Sequence, residues 1–294
     1  MFSASDVKEL RERTGCGMMD CKKALSETNG DMEKAIEFLR EKGLAAAAKK
    51  SGRIAAEGIV AEYIENNIGV ILEVNSETDF VSKNAEFQTF AKNVAQVVAK
   101  QNPADTEALL KLPYSDAMSV EEMLREKILT IGENLNIRRF ARYEGNVVSY
   151  IHGGGRIGVM VRAEAPLEGE AYEAARDAAM QIAAINPLYL NVESIPAEDV
   201  EKERAIILAQ IKNDPASAKK PDNIIEKMVD GRIGKFYNEN CLLEQDFVKN
   251  SDVKVGAYLA SKGVKLVEFI RFEKGEGIQK KEDNFADEVA NMIK

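Results

Sequence analysis

The chain has 294 residues, 45% of them hydrophobic and 30% charged, with a formal net charge of −9. That is a globular composition, long enough for about two domains. The negative balance argues against a general nucleic-acid binder, which needs a basic face against phosphates. No apolar run approaches the roughly 20 residues of a membrane helix.

One histidine, His152, and three cysteines, Cys16, Cys21 and Cys241, leave the chain short of zinc ligands and of partners for a nucleophile. No metal site, no cofactor and no catalytic group are therefore expected. The odd, low cysteine count reads as free thiols in a reducing compartment. The opening residues carry neither a basic-then-apolar export signal nor an Arg-rich transit segment, so a cytoplasmic location is expected.

Residues 3–43 read as three short helices. Val7 and Leu10 give the first an apolar face, and Gly15-Cys16-Gly17 breaks it. Asp20 is expected to cap the second, which carries Cys21, Ala24 and Leu25 on one side and ends at Asn29-Gly30. Asp31 caps the third, with Met32, Ala35, Ile36 and Leu39 at helical spacing and Gly43 past its end. The alanine run and basic cluster that follow read as a linker, with a helical alanine run as the alternative for its first part.

From Glu57 the period becomes that of strands. Ile59–Ile64 and Gly69–Val74, joined by Asn66-Asn67, predict a hairpin. It ends at Thr78-Asp79-Phe80-Val81, a strand-to-helix corner with two readings: the ring enters the core while the acid caps the helix, or ring and charge face a partner. A helix from near Asn84 carries Phe87, Phe90, Ala91, Val94 and Val98 and stops at Asn102-Pro103. Ser119-Val120-Glu121-Glu122 is a capping-box pattern, opening a helix that leads through Ile131-Gly132-Glu133-Asn134 into a strand over Leu135 to Tyr143.

A second hairpin, Val147–Ile151 and Gly158–Val161, echoes the first, and each is followed by a helix. The loop His152-Gly153-Gly154-Gly155-Arg156 reads as a wide turn rather than a phosphate cradle, because it lacks the Lys-Ser/Thr step and lies inside a hairpin. Two amphipathic helices, from Ala197 and from Asp222 (a candidate cap), form an inserted helical hairpin. The strand Val264–Phe272 then resumes the core, and a last helix over Asp283 to Met292 presents Phe285, Val289 and Met292. The expected class is α+β: a helical module at 1–44, a linker at 45–56, core subdomains at 57–143 and at 144–195 with 237–275, the hairpin at 196–236, and a C-terminal module at 276–294.

Several long motifs in one order then carry a resemblance over essentially the whole chain. They are Leu10-Arg11-Glu12-Arg13-Thr14-Gly15, Met18-Met19-Asp20-Cys21-Lys22-Lys23-Ala24-Leu25, Thr78-Asp79-Phe80-Val81, Ile131-Gly132-Glu133-Asn134, His152 to Val159, and Phe269-Ile270-Arg271-Phe272 with Gly275-Glu276-Gly277. The chain resembles bacterial elongation factor Ts, the nucleotide-exchange factor of elongation factor Tu. The resemblance implies a ubiquitin-associated-like first module, a coiled-coil character for the inserted hairpin, and a C-terminal helix that docks on the partner. It implies that Thr78, Asp79, Phe80 and Val81 help dislodge the partner's Mg²⁺, and that Met18, Met19, Lys23, Ile131, Gly132 and His152 lie in binding surfaces. It implies elongation factor Tu as partner, with no direct contact to nucleic acid or membrane, and leaves room for a homodimer within a larger complex.

Overall fold

Hydrophobic residues at helical spacing decide the first part of the chain. In the computed structural model, which describes residues 2–14, 16–217 and 220–279, they form α1 (Ala4–Thr14), α2 (Met18–Glu27) and α3 (Met32–Lys50). These helices bury Val7, Leu10, Cys21, Ala24, Leu25, Ala35 and Leu39 in a cluster of their own. The expected cap of α3 is present, Asp31 Oδ1 accepting from the Lys34 N–H at 3.1 Å. Asn29 and Gly30 take the left-handed φ values of 54° and 85° that end α2. Two expectations need correction. Asp20 does not cap α2: it lies inside the first turn and pairs with Lys42 of α3, while Gly17 occupies the cap position without a side-chain bond. Nor does Gly43 end α3. The strong helix formers Leu44 to Ala48 carry the helix through the supposed linker to Lys50.

The core follows, opening with β1 (Glu57–Glu65), β2 (Ile68–Ser76), the single turn α4 (Asp79–Ser82) and α5 (Ala85–Gln101). Asn66 and Asn67, at φ 52° and 60°, make the two-residue turn between β1 and β2, both left-handed as a tight hairpin requires. The connection continues through α6 (Thr106–Lys111) and a small ribbon of β3 (Pro113–Ser115) and β4 (Met118–Ser119) into α7 (Val120–Ile131). The capping box of α7 forms, with Glu122 N–H donating to Ser119 Oγ at 3.2 Å and Ser119 N–H to Glu122 Oε2 at 2.8 Å. Strand β5 (Asn136–Glu144) then pairs with β2, so the first sheet has the order β1-β2-β5.

The second sheet repeats that plan. Its hairpin is β6 (Asn146–His152) and β7 (Ile157–Ala163), its helix is α8 (Gly169–Ile185), and its third strand returns beside β7. Between α8 and that strand lie α9 (Ala197–Asn213), α10 (Asp222–Asn240), a β8–β9 ribbon (Asp246–Phe247 and Asn250–Lys254) and α11 (Val255–Ser261), before β10 (Leu266–Glu273) closes the order β10-β7-β6. Alternation along the strands decides what each sheet face meets. Ile59, Val70, Leu72 and Val74 face α5, while Val148, Val159 and Val161 face the alanine stripe of α8. The intervening Val60, Ile71, Met160 and Phe272 pack the sheets against each other. The sheets meet so closely that a Cβ added to Gly158 would overlap the side chain of Val60.

The helical hairpin of α9 and α10 encloses its own apolar cluster of Ile207, Ile211, Ile225, Val229 and Ile233. Asp222 is not its cap; Pro221 precedes the first turn, and α10 runs on past the expected boundary to Asn240. Cys16, Cys21 and Cys241 are buried free thiols, and burial pushes the Cys241 thiol up to about 11. Gly15, Lys219 and the C-terminal helix expected over Asp283 to Met292 lie outside the described residues. Among the described residues no helix is long and apolar enough to cross a membrane.

Candidate functional site

At the end of β2 the chain turns sharply, and nearly every polar group of the turn has a partner. Ser76 Oγ donates to the Thr78 carbonyl at 2.9 Å. Thr78 occupies the cap position of α4 in extended geometry, without bonding the helix through its side chain. Instead its N–H and its hydroxyl both donate to Glu133, at 3.0 and 2.6 Å. Asp79 is thus the first helical residue rather than the cap. Its carboxylate accepts from Lys83 Nζ at 2.7 Å, a bond that holds the Asp79 carboxyl below the usual range.

Within this one turn, neighbouring side chains part company. Val81 is buried in the first core cluster, and Ser82 Oγ is tied to the Asp79 carbonyl at 2.5 Å. Asn84 Oδ1 caps the following helix, accepting from the N–H groups of Glu86 and Phe87 at 2.8 and 3.3 Å. Phe80 alone in α4 is left outside: 79% of its surface is exposed, with Lys83 Nζ over the ring 5.9 Å from its centroid. The core reading of Phe80 is therefore overturned. A large ring on a short, pinned helix is a projecting group, not a packing residue.

Ile131 and Gly132 come to the same place. Gly132 ends α7 at φ 87°, a left-handed residue with open space around it. The chain then delivers Glu133 to Thr78, and Asn134 completes a reciprocal tie, its N–H donating to Glu77 Oε1 at 2.6 Å and its Nδ2 to the Arg53 carbonyl at 2.7 Å. Arg53 Nη1 also approaches Glu77 Oε1, at 3.4 Å. Glu77, Glu133 and Arg53 were not legible as site residues. Only the polar pair directly after the α7 terminus hinted that a side chain was needed there.

The remaining candidates lie on other elements. Met18 and Met19 are 53% and 74% exposed on the first turn of α2, and Lys23 is exposed further along it. Their module is seated on α7: Leu129 packs against its cluster, and Lys50 Nζ donates to the Ile128 carbonyl at 3.2 Å. His152 is exposed at the end of β6 in the second sheet, its Nδ1 3.0 Å from the Tyr150 hydroxyl. The glycine turn that follows is engaged by protein, since the Gly155 carbonyl accepts from the Val60 N–H at 2.7 Å. It reads as a hairpin turn docked on β1.

A second polar centre joins the two sheets. Glu73 is fully buried and accepts from Arg139 Nε at 2.6 Å, Gly275 N–H at 2.7 Å, and Arg138 Nη1 and Asn75 Nδ2 at 3.0 Å. Burial pushes its carboxyl up, but the bonds from Gly275, Asn75, Arg139 and Arg138 outweigh that and leave it below the ordinary range. Successive strand residues normally point to opposite faces. Here the β2–β5 register shifts at Glu73, so Arg138 is a bulged extra residue and both arginines reach one carboxylate. Arg139 also lies over the Phe272 ring, 4.3 Å from its centroid.

Residues 77–276 match the family described as Elongation factor TS. Proteins named Elongation factor Ts from Clostridium perfringens, in strains SM101 and 13 alike, are 53% identical over 306 residues, covering 99% of this chain and 99% of each relative. The likeness thus runs through the helical module, both sheets and the inserted hairpin. The chain belongs to the elongation factor Ts family of translation elongation factors.

Proposed function

We propose that this protein is the guanine-nucleotide exchange factor of an elongation factor Tu GTPase. It binds the GDP-loaded partner, disturbs the partner's Mg²⁺ and phosphate site, and speeds GDP release so that GTP can enter. The observation that carries the reading is Phe80, an exposed ring on a turn whose neighbours are buried or hydrogen-bonded, in a chain of this family. Because the turn is already held, its backbone has little further freedom to lose when the ring enters a partner. Asp79 brings a carboxylate to the same point, where it competes for hydrogen bonds near the metal.

Such a protein needs no nucleophile or general base of its own. It must bind the empty GTPase more tightly than the loaded one, and nucleotide then weakens the factor by the same ratio as the factor weakens nucleotide. A ratio of 10⁴ corresponds to about 5.5 kcal/mol. Burying one phenylalanine contributes about 1.5–3 kcal/mol. The rest falls to a wider surface, for which the exposed Met18, Met19 and Lys23, the Ile131-Gly132 terminus and His152 are the candidates. Their spread over α2, α7 and β6 fits a partner that spans several elements.

The test is release of fluorescent GDP from purified elongation factor Tu, with and without this chain. Acceleration at substoichiometric amounts is expected. An unchanged rate, even with binding, would make the chain a scaffold and end the proposal.

A further inference from the structure

We infer that Glu133 is a positioning residue for exchange: its carboxylate aims the Phe80 turn and ties that turn to α7. The inference deepens the proposed function and rests on its reading of Phe80 as the group that meets the partner.

The geometry carries it. Thr78 starts the turn, and a threonine there ordinarily turns its oxygen onto the helix's own N–H groups. Here it bonds none of them. Both of its donors, N–H at 3.0 Å and hydroxyl at 2.6 Å, are taken by the two oxygens of one side chain 55 residues away. Bonds to an ionised acceptor are among the stronger hydrogen bonds, and two from one residue restrict its rotation. Glu77 returns the tie to Asn134 at 2.6 Å, so each segment lends the other a carboxylate. Inside the turn, buried Val81 sets its depth but not its direction. Direction is set from outside, by Glu133.

Position in the chain adds the second part. Glu133 directly follows Gly132, the left-handed end of α7. The same helix seats the first module through Leu129 and through the Lys50 bond to the Ile128 carbonyl. The projecting ring and the exposed methionines of α2 are therefore referenced to one helix, and a partner meets both in a fixed relation.

The test is a double-mutant cycle of Glu133→Ala and Phe80→Ala, reading the maximal rate of GDP release from elongation factor Tu and the half-saturating concentration separately. Glu133→Ala should lower the maximal rate about tenfold, the scale of one hydrogen bond to a charged group, with half-saturation changed less than about threefold. In the Phe80→Ala background it should lower the rate no further. Glu133→Gln, which keeps one acceptor but turns an amide donor toward the other Thr78 donor, should lie between and completes the same cycle if the alanine variant does not fold. A merely structural role would slow release equally in both backgrounds. That result, or an unchanged rate for a folded Glu133→Ala, overturns the inference. If Phe80→Ala alone leaves release undiminished, the reading of Phe80 falls first and takes this inference with it.

Discussion

Replacing Phe80 with alanine separates what the ring does for its own chain from what it does for a partner. With 79% of its surface exposed, only about a fifth of the ring's transfer free energy is engaged in the free protein. Full burial of phenylalanine is worth about 1.5–3 kcal/mol, so the variant should lose roughly 0.5 kcal/mol. For a chain of this size that is a shift of under about 2 °C in melting temperature. If the ring becomes buried only against the nucleotide-free partner, the same 1.5–3 kcal/mol disappears from the step that expels GDP. At about 1.4 kcal/mol per factor of ten, release should slow by about 10- to 150-fold. Thermal melting of the free variant and stopped-flow release of fluorescent GDP measure the two numbers. A melting temperature several degrees lower would return Phe80 to the core. An undiminished release rate in a folded variant would remove the ring from the mechanism.

Other outcomes follow from the same structure. Glu73→Gln leaves two arginines facing a weaker acceptor; because both are partly exposed, the loss should be about 3 kcal/mol, at the low end for a broken buried pair, read as a shifted urea midpoint. The Glu73 carboxyl is depressed in the folded state, so its stabilisation is present above the unfolded glutamate value and lost as pH falls through the folded one. Urea midpoints taken on the acid side of about pH 4.3 should therefore drop more steeply in the parent than in Glu73→Gln. Met18→Ser with Met19→Ser should change stability by less than about 0.5 kcal/mol while weakening partner affinity about tenfold, since both side chains are exposed; titration calorimetry and melting decide. Both ends of the α9–α10 arm meet at Tyr189, whose hydroxyl donates to Asp199 at 3.3 Å and whose N–H donates to the Asn240 carbonyl at 3.0 Å. Replacing the arm with a short linker should leave the melting of the core unchanged; a core that no longer folds would make the arm structural.

Much of this was readable from the residues alone. Asn66-Asn67, Asp31 and Ser119 announced a turn and two helix starts because each acts on backbone within a few positions. The echo between the hairpins was visible because strand alternation survives in sequence. What escaped depended on distance. Glu73 looks like any strand charge until Gly275, 202 residues later, donates to it. Asp20 looked like a cap because the lysine that claims it stands on another helix. Phe80 could not be turned outward by inspection, since the bonds that orient its turn come from Glu133. The short elements α6, α11 and the two ribbons hold too few residues for a period to register.

The bond between Glu73 and Gly275 also has a consequence for how the chain is made. On the ribosome an early strand emerges with its carboxylate long before the late glycine that will bind it. The second sheet likewise waits for β10, its last member in order of synthesis. Neither the second sheet nor the bond that satisfies Glu73 can therefore form before β10 and Gly275 have been made, and a nascent chain released just short of β10 lacks both.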